Sequence, residues 1–135
     1  MTDYKLFLDS SIWVGYFMRV GELVGQMVDS HEGKFFTSAL SFYEVPRKLH
    51  MLKRNEAFIT EAIRFMRENS IIITVDDKIA NQSVEWAIKN KLAIADSIIY
   101  QSTLSSEAIL LTGDADFNGL PKAQVVTLWE KENHF

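Results

Sequence analysis

The chain has 135 residues, of which 47% are hydrophobic and 24% are charged, and its formal net charge is -4. These values are typical of one folded domain and exclude a disordered protein, and the excess of acids argues against a protein that coats nucleic acid through overall positive charge. The absence of cysteine excludes disulfides, thiolate nucleophiles and zinc sites built on sulfur, so a metal would need oxygen or histidine ligands.

Short apolar segments rich in β-branched residues alternate along the chain with helical patterns. The predicted strands, of which the second is the weakest, cover residues 4–9, 34–37, 71–75, 108–112 and 124–128. The helical patterns cover residues 23–31, 45–52, 58–66, 78–89 and 94–104. This alternation predicts parallel pairing through right-handed crossovers. The sequence therefore predicts a single α/β domain over residues 1–135, with a central parallel sheet of four to five strands flanked by helices.

No segment has the pattern of a membrane span or a secretion signal. The longest apolar runs, such as residues 70–75, are too short to cross a bilayer, and residues 1–5 show no basic segment leading into an apolar one. A cytoplasmic protein without membrane contact is therefore expected. The three histidines, His31, His50 and His134, show no metal-ligand spacing, which leaves carboxylates as the abundant candidate ligands.

Four acidic residues stand out by their positions. Asp9 ends the first predicted strand and Asp114 follows another, so both reach the same edge if these strands are neighbours in a parallel sheet. Asp96 interrupts an apolar helix start, where an unpaired carboxylate is costly, although a helix dipole also favours a first-turn aspartate. Glu44 forms an S-x-x-E pattern with Ser41, and a capping box would by itself account for both residues.

Convergence of these carboxylates would call for protons or a divalent cation. Two carboxylates about 4 Å apart repel each other by roughly 4 kcal/mol at an effective dielectric constant near 20. Mg²⁺ and Mn²⁺ prefer oxygen ligands and also take phosphate oxygens from a substrate. The pattern therefore indicates phosphodiester chemistry.

Four segments, in their order and spacing, resemble the PIN-domain ribonucleases, and among these the small VapC-like toxins of type II toxin-antitoxin systems. The segments are "FLDSSI", "SFYEVPRKL", "AIADSIIYQST" and "LLTGDADF". The resemblance implies a Rossmann-like PIN domain, an endoribonuclease that cleaves RNA with Mg²⁺ or Mn²⁺, a homodimer and a small antitoxin partner.

The resemblance also implies roles for individual residues. The catalytic and metal-binding acids would be Asp9, Glu44, Asp96 and Asp114, with Glu44 binding directly or through water and Asp116 as a weaker ligand. The polar positions that support the acids would be Ser10, Ser11 and Thr112.

Two further groups of side chains are candidates for contacts with partners. Spacing predicts one basic helix face, a candidate for RNA phosphates, formed by Arg47, His50 and Arg54. Large apolar side chains in the early helices are predicted to serve the core, a dimer contact or an antitoxin contact, and these are Trp13, Tyr16, Phe17 and Met27.

Other functions remain open at this stage. A phosphatase of the haloacid dehalogenase type needs a second aspartate two residues after the first, where this chain has Ser11. A receiver domain needs an acidic pair at the end of its first strand, where Asp9 is followed by serines. A non-toxin PIN nuclease in RNA processing and a catalytically silent PIN-like binding module are the remaining alternatives.

Overall fold

Five short strands form one parallel sheet in the computed structural model, which describes residues 4–128. The strands are β1 (Leu6–Leu8), β2 (Phe35–Ser38), β3 (Ser70–Ile73), β4 (Ile109–Thr112) and β5 (Ala123–Val125). Their order across the sheet is β3-β2-β1-β4-β5, and every neighbouring pair is parallel. The predicted α/β fold with a parallel sheet is therefore confirmed, with β1 at its centre.

Six α-helices and one 3₁₀ helix connect the strands. The α-helices are α1 (Ser10–Phe17), α2 (Glu22–Ser30), α3 (Ser41–Met51), α4 (Glu56–Asn69), α5 (Asp77–Asn90) and α6 (Ile94–Ser105). The 3₁₀ helix spans Ala115–Phe117, directly after β4. None of the predicted helical ranges covers α1, because its apolar residues run almost without interruption and so lack a helical period.

The sheet separates two apolar cores. Leu6 and Leu8 belong to a core that is built with α1 to α4, whereas Phe7 belongs to a core with α6 and the 3₁₀ helix. Successive side chains of a strand point to opposite faces, so a strand covered on both faces must be apolar throughout. This requirement accounts for the continuous apolar sequence of β1.

The capping box that was the alternative explanation for Ser41 and Glu44 does not form at the start of α3. Leu40, in helical conformation, occupies the N-cap position, and no side chain caps the helix. The backbone N–H of Glu44, which a Ser41 cap would have bound, donates instead to the Leu40 carbonyl at 3.0 Å. The Ser41 hydroxyl is buried and has no hydrogen-bond partner within residues 4–128. The Glu44 carboxylate is therefore free of a capping role.

Two further expectations need correction. Trp13 is fully buried, and its indole N–H donates to the Thr37 hydroxyl at 3.0 Å, so it is a core residue and cannot contact a partner. Tyr16, Phe17 and Met27 are only partly buried beside the same core. The last strand is shorter than predicted, because it ends at Val125 and residues 126–128 continue as irregular chain.

No helix within residues 4–128 is both long enough and apolar enough to cross a bilayer.

Candidate active site

The carboxyl ends of β1 and β4 bring two aspartates to the same edge of the sheet. β1 pairs directly with β4, with Leu8 opposite Leu111, and Asp9 and Asp114 follow these two strands. The predicted meeting of Asp9 and Asp114 at one edge is therefore confirmed. The first turns of α3 and α6 add Glu44 and Asp96 from either side.

These four carboxylates line one cavity of about 410 Å³. The other residues around this acidic cavity are Ser10, Ser11, Val14, Arg47, Lys48, Gly113 and Leu128. The structure thus brings together all four predicted acids and two of the three predicted supporting residues at its wall. Thr112, the third, reaches the cavity through its hydrogen bonds to Asp9 and to the backbone of Asp114.

Asp9 is the most deeply buried of the acids and is held by two hydroxyl groups. Its Oδ2 atom accepts hydrogen bonds from Ser11 Oγ at 2.7 Å and from Thr112 Oγ1 at 2.8 Å. Burial raises the pKa of Asp9, the charge of Asp114 raises it further, and the two hydroxyl donors act in the opposite direction. The hydroxyls therefore help to keep a buried carboxylate ionised and fix its orientation.

Three carboxylates come within ligand distance of a common ion. One oxygen from each of Asp96, Asp114 and Asp116 lies within 4.8 Å of the other two. Partial burial, followed by the negative charges of Asp114, Asp9, Asp116 and Glu44, raises the pKa of Asp96 to about 7. Mutual repulsion of this kind is relieved by a proton or a cation.

Asp116 lies closer to the other acids than its predicted secondary role implies. Its backbone N–H donates to Asp114 Oδ1 at 2.9 Å, so the Asp114 side chain caps the 3₁₀ helix that carries Asp116. This local bond uses one oxygen of Asp114, and a carboxylate oxygen of Asp116 lies within 4.8 Å of oxygens from Asp96 and Asp114. Asp116 itself is exposed.

Glu44 presents a buried oxygen without a partner. Its Oε1 atom has no hydrogen-bond partner within residues 4–128, although the side chain lines the acidic cavity. Burial raises the pKa of Glu44 and the charge of Asp9 adds to this effect, whereas the Ser10 side chain and then the charge of Arg47 oppose it. An unpaired buried carboxylate oxygen is costly, so this site is complementary to a hard cation or its bound water.

The predicted basic face divides between two places. Arg47 lines the acidic cavity, and so does Lys48, which was not predicted although it stands one helical turn after Glu44. His50 instead lies 3.7 Å from the Glu56 carboxylate, and the Arg54 guanidinium lies 5.7 Å from the centre of the Phe58 ring. The structure therefore does not bring His50 and Arg54 to the cavity.

The carboxylates thus gather at the carboxyl ends of the central strands, where open parallel sheets bind their ligands, and they form a candidate site for an ion with oxygen ligands. The profile of the PIN domain matches residues 6–123. The chain therefore belongs to the PIN domain family, which confirms the resemblance seen in the sequence.

Several solved structures share this fold. A toxin-antitoxin complex from Klebsiella pneumoniae matches with a TM-score of 0.74 and 22% identity, over 93% of this chain and 98% of that chain. The sarcin-ricin loop cleaving toxin VapC20 from Mycobacterium tuberculosis matches with a TM-score of 0.73 and 14% identity, over 87% of this chain and 95% of that chain. DNA-bound VapBC from Salmonella typhimurium matches with a TM-score of 0.69 and 14% identity, over 91% of this chain and 97% of that chain. A comparison with curated protein sequences gives no significant match.

Proposed function

We propose that the protein is a metal-dependent endoribonuclease and the toxin of a VapBC-like type II toxin-antitoxin system. The observation that carries this proposal is the set of carboxylate oxygens of Asp96, Asp114 and Asp116 within 4.8 Å of one another. Two of these acids, Asp96 and Asp114, line one cavity together with Asp9 and Glu44. Membership of the PIN family and the likeness to VapC toxins support the same activity. A homodimer in the cytoplasm remains a prediction of this proposal.

The donors fit Mg²⁺ or Mn²⁺, because the three oxygens that lie close together all belong to carboxylates, and Glu44 in the same cavity as Asp96 and Asp114 offers a buried oxygen without a partner. Asp9, Asp96 and Asp114 would hold the ion, with Asp116 as a further ligand and Glu44 binding directly or through water. When bound, such an ion lowers the pKa of a water molecule and neutralises charge on phosphate oxygens.

The protein's own groups supply orientation and charge for RNA cleavage. Ser11 and Thr112 fix the Asp9 carboxylate, and the free Oε1 atom of Glu44 accepts a hydrogen bond from the attacking water and orients it. Arg47 and Lys48 stand at the rim of the same cavity and attract the phosphates on either side of the scissile bond. Their attraction offsets the repulsion between RNA and the acids, so binding should weaken steeply with salt.

A second surface suits the antitoxin. A groove of about 1640 Å³ runs between α1, α2 and α4, and its floor includes Tyr16, Phe17 and Phe65. The rings of Tyr16 and Phe65 have their centres 5.5 Å apart, and those of Phe17 and Phe65 5.9 Å apart. Partly buried aromatic rings on a groove floor are suited to an apolar segment of a partner. We assign this groove to the small antitoxin, since structures with the same fold were solved as toxin-antitoxin complexes.

The function is tested by cleavage of RNA with and without metal. Cleavage should stop in excess EDTA and return with Mn²⁺ or Mg²⁺, because the acids alone repel the substrate phosphate. Expression should arrest growth, and both Asp9→Asn and co-expression of the antitoxin should relieve that arrest. Undiminished cleavage in EDTA would contradict the metal mechanism.

Two alternatives give different results in the same assays. A silent binding module would show no heat of Mn²⁺ binding in calorimetry. A PIN nuclease of RNA processing would bind Mn²⁺ and cleave RNA, but it would leave growth unaffected and would have no antitoxin gene beside its own.

Thr112→Val should weaken Mn²⁺ binding by roughly tenfold, because groups that orient metal ligands typically contribute 10- to 100-fold to affinity. Valine keeps the shape of the side chain but removes the donor to Asp9 and the acceptor for the Asp114 N–H group, bonds of 2.8 and 3.0 Å. The matched control is Thr103→Val, which removes a buried hydroxyl that donates to the Ile99 carbonyl in α6. Equal Mn²⁺ affinities for the two variants, measured by calorimetry, would contradict a supporting role for Thr112.

A further inference from the structure

Leu128 fills a slot between two glycines at the wall of the acidic cavity. A Cβ atom placed on Gly113 would lie 2.2 Å from Leu128 Cδ1 and 2.7 Å from its Cγ. A Cβ atom on Gly15 would lie 3.1 Å from Leu128 Cδ2. The leucine is itself buried, with 8% of its surface exposed. Glycine at both positions is therefore what allows this side chain to reach the cavity wall.

The loop that Leu128 touches is bonded to the partners of Asp9. The Gly113 N–H group donates to Ser11 Oγ at 2.9 Å, and the same hydroxyl donates to Asp9. The next N–H group, that of Asp114, donates to Thr112 Oγ1 at 3.0 Å. A displacement of Gly113 would consequently change the position of Asp114 and the hydrogen bonds of Asp9 together.

The chain around Leu128 is fixed to the same part of the sheet. The Val126 N–H group donates to the Thr112 carbonyl at 2.8 Å, two residues before Leu128. On the other side, the Leu128 carbonyl lies 3.7 Å from the position of a Cβ atom on Gly21, at the start of α2. The chain before Leu128 is thus bonded to β4, and Leu128 itself lies near the start of α2 while its side chain packs against Gly113.

We infer that Leu128 is a positioning residue, which holds the Gly113–Asp114 loop against the Asp9 hydrogen bonds and so sets the spacing of the acids. This inference rests on the proposed metal-dependent function. A site built from several carboxylates tolerates little displacement, because each ligand must keep its distance to one ion.

The test is a double-mutant cycle between Gly113 and Leu128, read by Mn²⁺ calorimetry and by thermal unfolding in EDTA. Gly113 is not in the left-handed region, and apart from Leu128 the nearest atom to its added Cβ is Ser11 Oγ at 3.6 Å, an ordinary contact. Gly113→Ala alone should weaken Mn²⁺ binding by tenfold or more and lower the unfolding temperature. Leu128→Ala alone should weaken binding by about tenfold. The double variant should resemble Leu128→Ala, since removal of the leucine makes room for the new methyl group.

Controls separate positioning from simple loss of packing. Ile59→Ala removes a side chain of similar burial, 6% exposed, from the same core, but on α4, which contributes no residue to the acidic cavity. It should lower the unfolding temperature without changing Mn²⁺ affinity. Leu128→Met should restore most of the affinity, because it keeps the side-chain volume.

A second route avoids deletion of the core side chain, in case Leu128→Ala does not fold. Gly15→Ala crowds Leu128 Cδ2 while alanine favours the helix that contains it, so unfolding temperature should hold or rise as Mn²⁺ affinity falls. Additive effects in the cycle, or unchanged Mn²⁺ affinity in Leu128→Ala or Gly15→Ala, would overturn the inference and leave the proposed function intact. Failure of the unmodified protein to bind Mn²⁺ would overturn both.

Discussion

Asp96→Asn is expected to reduce the rate of RNA cleavage by about 1000-fold or more at saturating Mn²⁺, since loss of a charged ligand removes several kcal/mol of transition-state stabilisation. Asp96 is the acid on which the charges of the four other carboxylates act together, and one of its oxygens lies within 4.8 Å of oxygens from Asp114 and Asp116. Asparagine keeps the shape of the side chain and removes the charge. Single-turnover cleavage of RNA measures the rate, and calorimetry measures the affinity for Mn²⁺.

The matched control for this substitution is Asp77→Asn. Asp77 is also a first-turn aspartate, at the start of α5, but it is exposed and lies outside the acidic cavity. Its variant should cleave RNA at the normal rate. Near-normal cleavage by Asp96→Asn would show that Asp96 only serves the helix dipole. The cleavage rate of Asp116→Asn, measured in the same assay, would show how much the exposed Asp116 contributes to cleavage compared with the half-buried Asp96.

The second large effect concerns the free energy of unfolding: Asp96→Asn should be more stable than the unmodified protein without metal and less stable with it. Without metal at pH 8, Asp96→Asn should raise the free energy of unfolding by about 1–2 kcal/mol, a range reduced for solvent screening because Asp96 is only partly buried. The pKa of Asp96 is about 7 in the folded protein against 3.8 for the ordinary group. Between these values the folded state binds more protons than the unfolded state, so the stability of the unmodified protein falls as pH rises from about 4 to about 7.

In saturating Mn²⁺ the unmodified protein should instead have a higher free energy of unfolding than Asp96→Asn. The ion binds only the folded state and relieves the repulsion, which stabilises the unmodified protein more than the variant. Mn²⁺ affinity itself should rise with pH through about 7, because Asp96 must lose its proton to bind the ion. Urea unfolding at pH 5 and pH 8, with EDTA or Mn²⁺, measures these differences. A variant that is less stable than the unmodified protein at pH 8 in EDTA would contradict the repulsion.

The general plan of the site could be predicted because it depends on strand order and apolar patterning. Asp9 and Asp114 each follow a strand, and pairing of β1 with β4 brings them to one edge. Asp96 could be identified because a carboxylate among apolar residues is out of place. The position of Asp116 beside Asp96 and Asp114 could not be predicted, because it lies on a 3₁₀ helix that the Asp114 side chain caps, and sequence spacing carries no sign of that bond.

Other features depend on contacts that the sequence patterns do not specify. The S-x-x-E motif at Ser41 failed because the chain leaving β2 already supplies a carbonyl, that of Leu40, to the Glu44 N–H group. Arg54 was predicted on one face with Arg47, but it lies over the Phe58 ring. Leu128 had no signal at all, because its importance arises from the absence of side chains on two glycines far away in sequence.

The hydrogen bond between Thr112 and Asp9 joins residues 103 positions apart. A ribosome synthesises the chain from its N-terminus, so Asp9 and Glu44 emerge long before the strand that anchors the first and the acids that complete the cavity. Under the proposed function, a nascent or truncated chain that lacks β4 has neither a fixed Asp9 nor an Asp114, and it cannot damage the RNA of the machinery that makes it. Toxicity then begins only with the completed fold, by which time the antitoxin groove of α1, α2 and α4 has already been synthesised.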